Sequence, residues 1–318
     1  MWTGYQCAGS FPHKCYQRLH EGHEFQRSKT IDTPRLDYRW EPAQCILAPF
    51  HARLLADHLA EHPLLFVGDS INQLQFESLA CLLGRDLESP MGDTNMTGGH
   101  PDRWVSQWVH KKYVDKPGAV TMAYLRSDYL VRLDDFKIME PMDEEGYQIG
   151  RGSNFPWAHV LPRFDYIILN TGPHWHPDLK WGPDRSRDEL LASFTEAMGV
   201  VFDYLKKNVK SHQRVWIRST PYGHARCSRF KSPDTVPRPP TGKEGEYEWD
   251  MLEKFDHVWK QWIIDENDDR FHFLNVSLSN LRGDAHSRPD SDCLHTCLPG
   301  PVDDWNKLLY SEMARISA

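Results

Sequence analysis

The chain has 318 residues, a formal net charge of −8 and a sequence pI of about 6.1. Hydrophobic residues make up 40% of it, which is enough for a sizeable core. The acidic balance argues against non-specific binding to nucleic acid or to anionic membranes, because both need clustered Lys and Arg. No run reaches the ~18 apolar residues of a membrane span, and the N-terminus does not have the pattern of a signal peptide.

The hydrophobic pattern predicts strands and helices that alternate from residue 62 onward. The predicted strands cover 64–67, 120–125, 129–133, 165–170, 214–220 and 271–276. The predicted helices cover 48–61, 71–83, 187–209, 248–264 and 302–316. Such alternation is typical of an α/β fold with a mostly parallel sheet and helices on both faces. We divide the chain into a loop-rich N-terminal segment, 1–61, and a catalytic domain, 62–318, with a surface insertion near 231–245.

The first motif that could take part in catalysis is Gly68-Asp69-Ser70, which lies between an apolar strand and a predicted helix. The carboxyl ends of strands in a parallel sheet are where ligands bind. Backbone N–H groups and the helix dipole at such a turn can hold an oxyanion formed on the serine. The alternative is that Asp69 or Ser70 only caps the helix, and the tripeptide alone does not separate the two interpretations.

A candidate base and its partner, His295 and Asp292, follow the last predicted strand. A serine nucleophile needs a base, and the base needs a carboxylate to orient it. An isolated Asp-x-x-His pair is more often structural. Here it falls in the same set of carboxyl-end loops as Ser70, and the combination indicates acyl transfer through a serine ester.

Asn170 is the last residue of the predicted strand at 165–170 and is a candidate oxyanion donor. Loss of one such donor typically lowers a rate by about 10²–10³-fold. The alternative is an asparagine that only forms a turn. Trp175 is the tryptophan that we expect to contact a sugar. The alternative is that it packs in the core, as most tryptophans do. Loose histidine groups near 13–23 and 174–178 lack the spacing of strong metal sites, so we expect no metal.

Taken together, these motifs resemble those of the trichome-birefringence-like proteins, which are plant polysaccharide O-acetyltransferases. They also resemble those of the PC-esterase relatives of these proteins in the SGNH hydrolase superfamily. The resemblance spans roughly residues 5 to 312. It rests on four runs: Leu36-Asp37-Tyr38-Arg39-Trp40-Glu41-Pro42, Gly68-Asp69-Ser70, Asn170-Thr171-Gly172 with His174-Trp175, and Asp292-Cys293-Leu294-His295 with Cys297-Leu298-Pro299-Gly300. The last run is the most specific of the four.

The resemblance implies an SGNH, flavodoxin-like three-layer sandwich, with the N-terminal segment packed on it. It implies Ser70 as nucleophile, His295 as base and Asp292 as its partner, with Ser70 and Asn170 forming the oxyanion hole. The substrate contacts that we expect beside these residues are Asp69, Gln73, His174 and Trp175. By analogy with the family we expect the disulfides Cys7–Cys45, Cys15–Cys81 and Cys227–Cys293, with Cys297 as the odd thiol.

Two departures lie beside the expected site. Gln73-Leu74 stands where plant members usually carry Arg-Asn, and Thr296 stands where they usually carry Trp. The leading hypothesis is an O-acetyltransferase that moves an acetyl group through an acetyl-serine to polysaccharide hydroxyls. A carbohydrate acetylesterase, with water as acceptor, is the alternative, and a catalytically weak glycan-binding protein is the third.

The expected co-substrate is an acetyl donor of unknown identity, with no bound cofactor, and the expected partner is a polysaccharide or oligosaccharide. Glycosylation sequons begin at Asn95 and Asn275, and the chain has seven cysteines. These features favour the secretory pathway, either the Golgi lumen or the secreted fraction. We expect a signal or membrane anchor to lie outside this chain.

Overall fold

The computed structural model describes residues 7, 11, 13, 15, 38, 40–43, 45–89, 105–141, 153–240, 243–244 and 247–316. In chain order, the strands are β1 (Leu64–Gly68), β2 (Leu87–Glu88), β3 (Val105–His110), β4 (Met122–Arg126), β5 (Tyr166–Leu169), β6 (Arg214–Arg218), β7 (Lys243–Glu244), β8 (Tyr247–Glu248), β9 (Phe271–Leu274), β10 (His286–Arg288) and β11 (Asp292–Thr296). The α-helices are α1 (Ala52–Glu61), α2 (Ser70–Leu83), α3 (Arg187–Asn208), α4 (Leu252–Glu266) and α5 (Pro301–Ile316). No described helix is long and apolar enough to span a bilayer.

The central sheet has the strand order β2-β3-β4-β1-β5-β6-β9. The five strands from β4 to β9 in that order run parallel, and β3 and β2 add an antiparallel edge. This arrangement confirms the predicted α/β class with a mostly parallel sheet. The sequence pattern did not predict the antiparallel edge strand β3.

Successive side chains of the buried strands enter two different cores. In β1, Leu64 and Phe66 join the cluster formed with α1, α2 and α5. Leu65 and Val67 join the cluster formed with α3 and α4. A strand buried on both faces is apolar at every position, which is why this run is continuous rather than alternating. The three layers follow directly from that pattern.

The strand predicted at 129–133 is absent, and the structure has a loop there. Leu130 has a positive φ of 64°, which interrupts an extended backbone. Side chains take the place of a partner strand: Trp157 Nε1 donates to the carbonyl of Leu130 at 2.8 Å, and Asn154 Nδ2 donates to that of Val131 at 2.9 Å. The apolar residues are buried by the core even though they form no strand.

The segment that contains His295 is not a plain loop. It forms β11 of a short antiparallel hairpin with β10, outside the central sheet. The same hairpin is joined to the loop after β6 by the predicted Cys227–Cys293 disulfide. The base is therefore carried by a small element of its own.

The other two predicted disulfides were wrong. Cys7 pairs with Cys81, and Cys15 pairs with Cys297, while Cys45 is free and exposed. The backbone of the N-terminal segment pairs with Leu298, and this contact places Cys15 beside Cys297. Cys297 is therefore a bonded residue and not the odd thiol.

The domain boundary at residue 61 stays a prediction. Leu55 and Leu59 of α1 lie in the same core as α2, so helical packing runs across that position. Within the predicted insertion, residues 231–240 contain neither helix nor strand, whereas Lys243–Glu244 form β7, which pairs with β8.

A buried polar link joins α2 to α5 and so connects the helix of Ser70 to the chain that follows His295. Ser78 Oγ donates to Asp303 Oδ1 at 2.6 Å, and the Gly300 N–H donates to Asp303 Oδ2 at 2.8 Å. Asp303 is fully buried, and burial raises its pKa to about 7.

This raised pKa predicts a pH dependence of stability. The folded protein binds the Asp303 proton more tightly than the unfolded chain, so this group stabilises most at low pH, and that contribution is lost as pH rises from about 4 to about 7. We expect Asp303→Asn, a neutral mimic, to reduce the fall in unfolding free energy between those pH values. Urea unfolding across pH measures this, and exposed Asp203→Asn is the control. An unchanged pH slope in Asp303→Asn would contradict the assignment.

Candidate active site

Ser70, His295 and Asp292 form a continuous hydrogen-bonded chain. The Nε2 atom of His295 lies 2.8 Å from Ser70 Oγ, and its Nδ1 atom lies 2.8 Å from Asp292 Oδ2. Because a carboxylate only accepts, Nδ1 carries the proton and Nε2 is left to accept the serine hydroxyl. This is the arrangement in which a histidine can remove a proton from a serine.

Asp292 is held as a charged acceptor. Partial burial pushes its pKa upward, but the hydrogen bond from His295 and the N–H groups of Leu294 and His295 hold it well below its usual range. Both N–H groups donate to Asp292 Oδ1, at 3.0 and 3.1 Å. Oδ1 is therefore bonded to the backbone of β11, while Oδ2 orients the imidazole of His295.

The position of Ser70 depends on the tight turn between β1 and α2. A Cβ on Gly68 would lie 2.3 Å from the carbonyl oxygen of Asn170. Only glycine therefore allows the ends of β1 and β5 to lie this close together. Asn72 Nδ2 then donates to the carbonyl of Val67 at 2.6 Å and to that of Ile168 at 3.2 Å. These bonds fix the first turn of α2 over the ends of β1 and β5.

Asp69 is the N-cap of α2, as the simpler interpretation of the motif expected. Its Oδ1 accepts the N–H of Ile71 at 2.9 Å, and its carbonyl accepts those of Asn72 and Gln73. The first four N–H groups of a helix have no partner within it. The N–H of Ser70 has no acceptor among the described residues, so it stays available for an oxyanion beside its own Oγ.

Asn170 does not fill its expected role. Its side chain is fully buried, and Nδ2 donates to the carbonyl of Arg218 and to Thr220 Oγ1, each at 2.8 Å. Its Oδ1 accepts from the Arg218 guanidinium at 2.8 Å. Both amide protons are thus used inside the protein, and the side chain joins β5 to β6 instead of facing an oxyanion.

Two of the expected substrate contacts are buried. Asp69 is fully buried as the helix cap. Trp175 is also fully buried, since its ring packs against Phe194, Tyr129 and Trp181 with centroids 5.2 to 5.5 Å away. Neither can contact a sugar in this structure, so both expectations are corrected.

The other two expected contacts, Gln73 and His174, are partly exposed. Gln73 Nε2 donates to Glu77 Oε1 at 2.9 Å, one turn further along α2. His174 Nε2 lies 3.5 Å from Asp128 Oδ2. Their role in binding substrate stays a prediction.

Sequence reasoning missed two charged groups at the end of β4, where Arg126 is in register with Gly68. Arg126 Nε donates to Asp128 Oδ1 at 2.9 Å, and Asp128 in turn lies beside His174. We predicted Arg126-Ser127-Asp128 only as the break between two strands. The available signal was its position at the carboxyl end of a strand adjacent to β1.

A cation near the site would compete with existing bonds. His13, Asp292 and His295 are the described residues whose ligand atoms lie within 4.8 Å of one another. However, the two ring nitrogens of His295 are already bonded to Ser70 and Asp292. The expected absence of a metal stays a prediction.

Of the two sequons, Asn275 lies in the described part of the chain, and its side chain is exposed. Asn95 lies outside the described residues. Glycosylation at either position stays a prediction.

The sequence model of the PC-Esterase family, described as GDSL/SGNH-like acyl-esterases found in Pmr5 and Cas1p, matches residues 47–312. Protein trichome birefringence-like 6 of Arabidopsis thaliana is 25% identical over 92% of this chain and 65% of its own length. Xyloglucan O-acetyltransferase 1 of Arabidopsis thaliana is 26% identical over 93% of this chain and 75% of its own. Xylan O-acetyltransferase 6 of Oryza sativa subsp. japonica is 25% identical, with shares of 87% and 55%.

The chain thus spans between about half and three quarters of the lengths of these relatives. A solved structure of a putative arylesterase from Agrobacterium tumefaciens str. C58 is remote, with a TM-score of 0.35 and 10% identity over 80% of this chain and 98% of that one. The family match covers most of the chain and includes Ser70, Asp292 and His295. The chain belongs to the PC-Esterase family of GDSL/SGNH-like acyl-esterases.

Proposed function

We propose that this protein is a polysaccharide O-acetyltransferase that carries the acetyl group on Ser70. The observation that supports this most directly is the chain of hydrogen bonds from Ser70 Oγ through His295 to Asp292. Family membership and relatives named as xyloglucan and xylan O-acetyltransferases supply the substrate class. The acetyl donor is a co-substrate whose identity is open.

In the first half-reaction, His295 takes the proton of Ser70 as Oγ attacks the carbonyl carbon of the donor. The N–H of Ser70 stabilises the oxyanion, and His295 returns the proton to the departing group as the bond to the donor breaks. In the second half-reaction, a sugar hydroxyl gives its proton to His295 and attacks the acetyl-serine. Ser70 leaves with that proton, so the catalyst returns to its starting state.

Water in place of the sugar hydroxyl would give an acetylesterase with the same residues. Transfer requires that the acceptor site hold a sugar and keep water away from the acetyl-serine. The partly exposed Gln73 and His174 are the predicted residues that remain available for a sugar. The relatives named as transferases favour transfer over hydrolysis.

We further propose that the protein acts in the secretory pathway. Disulfides persist in oxidising compartments, and the chain has bonds at Cys7–Cys81, Cys15–Cys297 and Cys227–Cys293. The exposed Asn275 begins a sequon, as expected for a glycoprotein. Relatives named for xylan and xyloglucan agree with a route toward the cell wall.

Ser70→Ala tests the reaction. We expect it to lower acetate release from a chromogenic acetyl ester by about 10³-fold or more, because the covalent intermediate cannot form. The same reactions, supplemented with xylan or xyloglucan oligosaccharides, are analysed by mass spectrometry for acetylated sugar. Exposed Ser211→Ala is the control and should match the wild type.

Acetylated oligosaccharide in the wild type and none in Ser70→Ala would support transfer. Acetate alone, with no modified sugar for any acceptor, would favour the esterase. Full activity in Ser70→Ala would refute the mechanism.

Asp292→Asn tests the orienting carboxylate. We expect kcat to fall by about 10²–10⁴-fold with little change in KM, because a neutral amide neither fixes the ring tautomer nor stabilises the imidazolium. The exposed Asp290→Asn in the same hairpin is the matched control. Because its pKa lies below the usual range, Asp292 stays ionised above pH ~5, and the acidic limb of wild-type activity reports another group. A wild-type kcat in Asp292→Asn would remove this residue from the mechanism.

A further inference from the structure

A second histidine from the N-terminal segment lies against the base. The rings of His13 and His295 are stacked, with centroids 4.6 Å apart and an angle of 8° between their planes. The chain positions of the two residues differ by 282, and no element of the central sheet brings them together. Because the two rings are nearly parallel, His13 covers one face of the His295 imidazole.

The backbone around His13 is anchored beside His295. The N–H of Leu298 donates to the carbonyl of His13 at 2.9 Å, and the N–H of Cys15 donates to that of Leu298 at 3.2 Å. The Cys15–Cys297 disulfide closes the same contact covalently. His13 is thus fixed between a backbone pairing and a disulfide that begins two residues after the base.

The His13 ring is also oriented by a hydrogen-bonded relay. Its Nδ1 lies 2.8 Å from Ser287 Oγ, and that hydroxyl donates to the carbonyl of His295 at 3.4 Å. The plane of the His13 ring is therefore set by the strand pair that carries His295.

The charge state of His13 suits this contact. Burial and the neighbouring His295 lower the pKa of His13 to about 4, Arg288 acts in the same direction, and Asp292 opposes them. His13 is therefore neutral near pH 7. A neutral aromatic face attracts a cation, whereas a second charged ring would repel it.

We propose that His13 is a positioning residue that holds the His295 ring in line between Ser70 and Asp292 and stabilises its imidazolium form during acyl transfer. This inference rests on the proposed function of Ser70 and His295. It assigns the N-terminal segment a part in the chemistry in addition to its part in the fold. Removal of His13 should slow the reaction, and substrate binding should be left nearly unchanged.

The test compares three substitutions in the full chain: His13→Ala, His13→Phe and His13→Arg. With a chromogenic acetyl ester, we expect His13→Ala to lower kcat by about 3- to 30-fold with KM within about 2-fold, from the loss of the aromatic face. His13→Phe should recover most of kcat, since a flat neutral ring remains. Exposed His257→Ala is the control.

His13→Arg separates an electrostatic role from simple packing. The guanidinium keeps a planar group on His295 but adds a permanent positive charge, which disfavours protonation of the base. We expect the acidic limb of kcat/KM to move to lower pH and the plateau rate to fall below that of His13→Phe. The same limb should stay near its wild-type pH in His13→Phe, which keeps a neutral ring, so the difference between the two variants measures how strongly charge at position 13 acts on the base.

Each variant is first checked for disulfide content and melting temperature, and assays contain a chelator so that no cation bridges His13, Asp292 and His295. Wild-type kcat in His13→Ala, with Ser70→Ala inactive, would overturn this inference and leave the proposed function intact. Equal loss in His13→Ala and His13→Phe, or an effect on KM alone, would also overturn it. Activity in Ser70→Ala would instead refute the proposed function itself.

Discussion

The hydrogen bond between His295 and Ser70 joins two parts of the molecule that the central sheet does not connect. Ser70 lies at the end of β1, in the middle of the sheet, whereas His295 lies in a separate hairpin. Its 2.8 Å length therefore depends on whatever holds the hairpin against α2. Cys227–Cys293 ties the hairpin to the loop after β6, and Cys15–Cys297 ties the residue after β11 to the N-terminal segment. The buried link between Ser78 and Asp303 joins α2 to α5, the helix that follows the hairpin.

The disulfides and the hydrogen bond differ in how they respond to pH. A disulfide limits the unfolded chain and keeps the hairpin close under any pH. The Ser78–Asp303 link is a buried hydrogen bond whose strength follows the protonation of one carboxyl group. Asp292 works in the opposite sense, since its carboxylate is stabilised by its neighbours. The surroundings of the site thus contain one carboxyl group that favours its neutral form, Asp303, and another that favours its charged form, Asp292.

The fold and the positions of Ser70, His295 and Asp292 at one end of the sheet could be predicted because their signals are local. An apolar run followed by Gly68-Asp69-Ser70 predicts strand, turn and helix from neighbouring residues alone. Asn170 shows the limit of such reasoning: its position was correct, but its side-chain direction depends on Arg218 and Thr220, which join from the next strand. Trp175 fails for the same reason, since Phe194 on α3 covers it. The disulfide partners of Cys7 and Cys15 lie 74 and 282 residues away in the chain, and no periodicity encodes such distant contacts.

The pairing of Cys15 with Cys297 also has a consequence for synthesis. A ribosome releases Cys7, Cys15, Cys45 and Cys81 long before Cys297, and domains begin to fold as they emerge. Cys7 can find Cys81 early, while Cys15 waits for a partner 282 residues later. Until then, the thiol of Cys15 stays unpaired, as does that of Cys45. The candidate active site is therefore completed only after translation has passed Cys297, and correct pairing of Cys15 marks a chain in which His295 is in place.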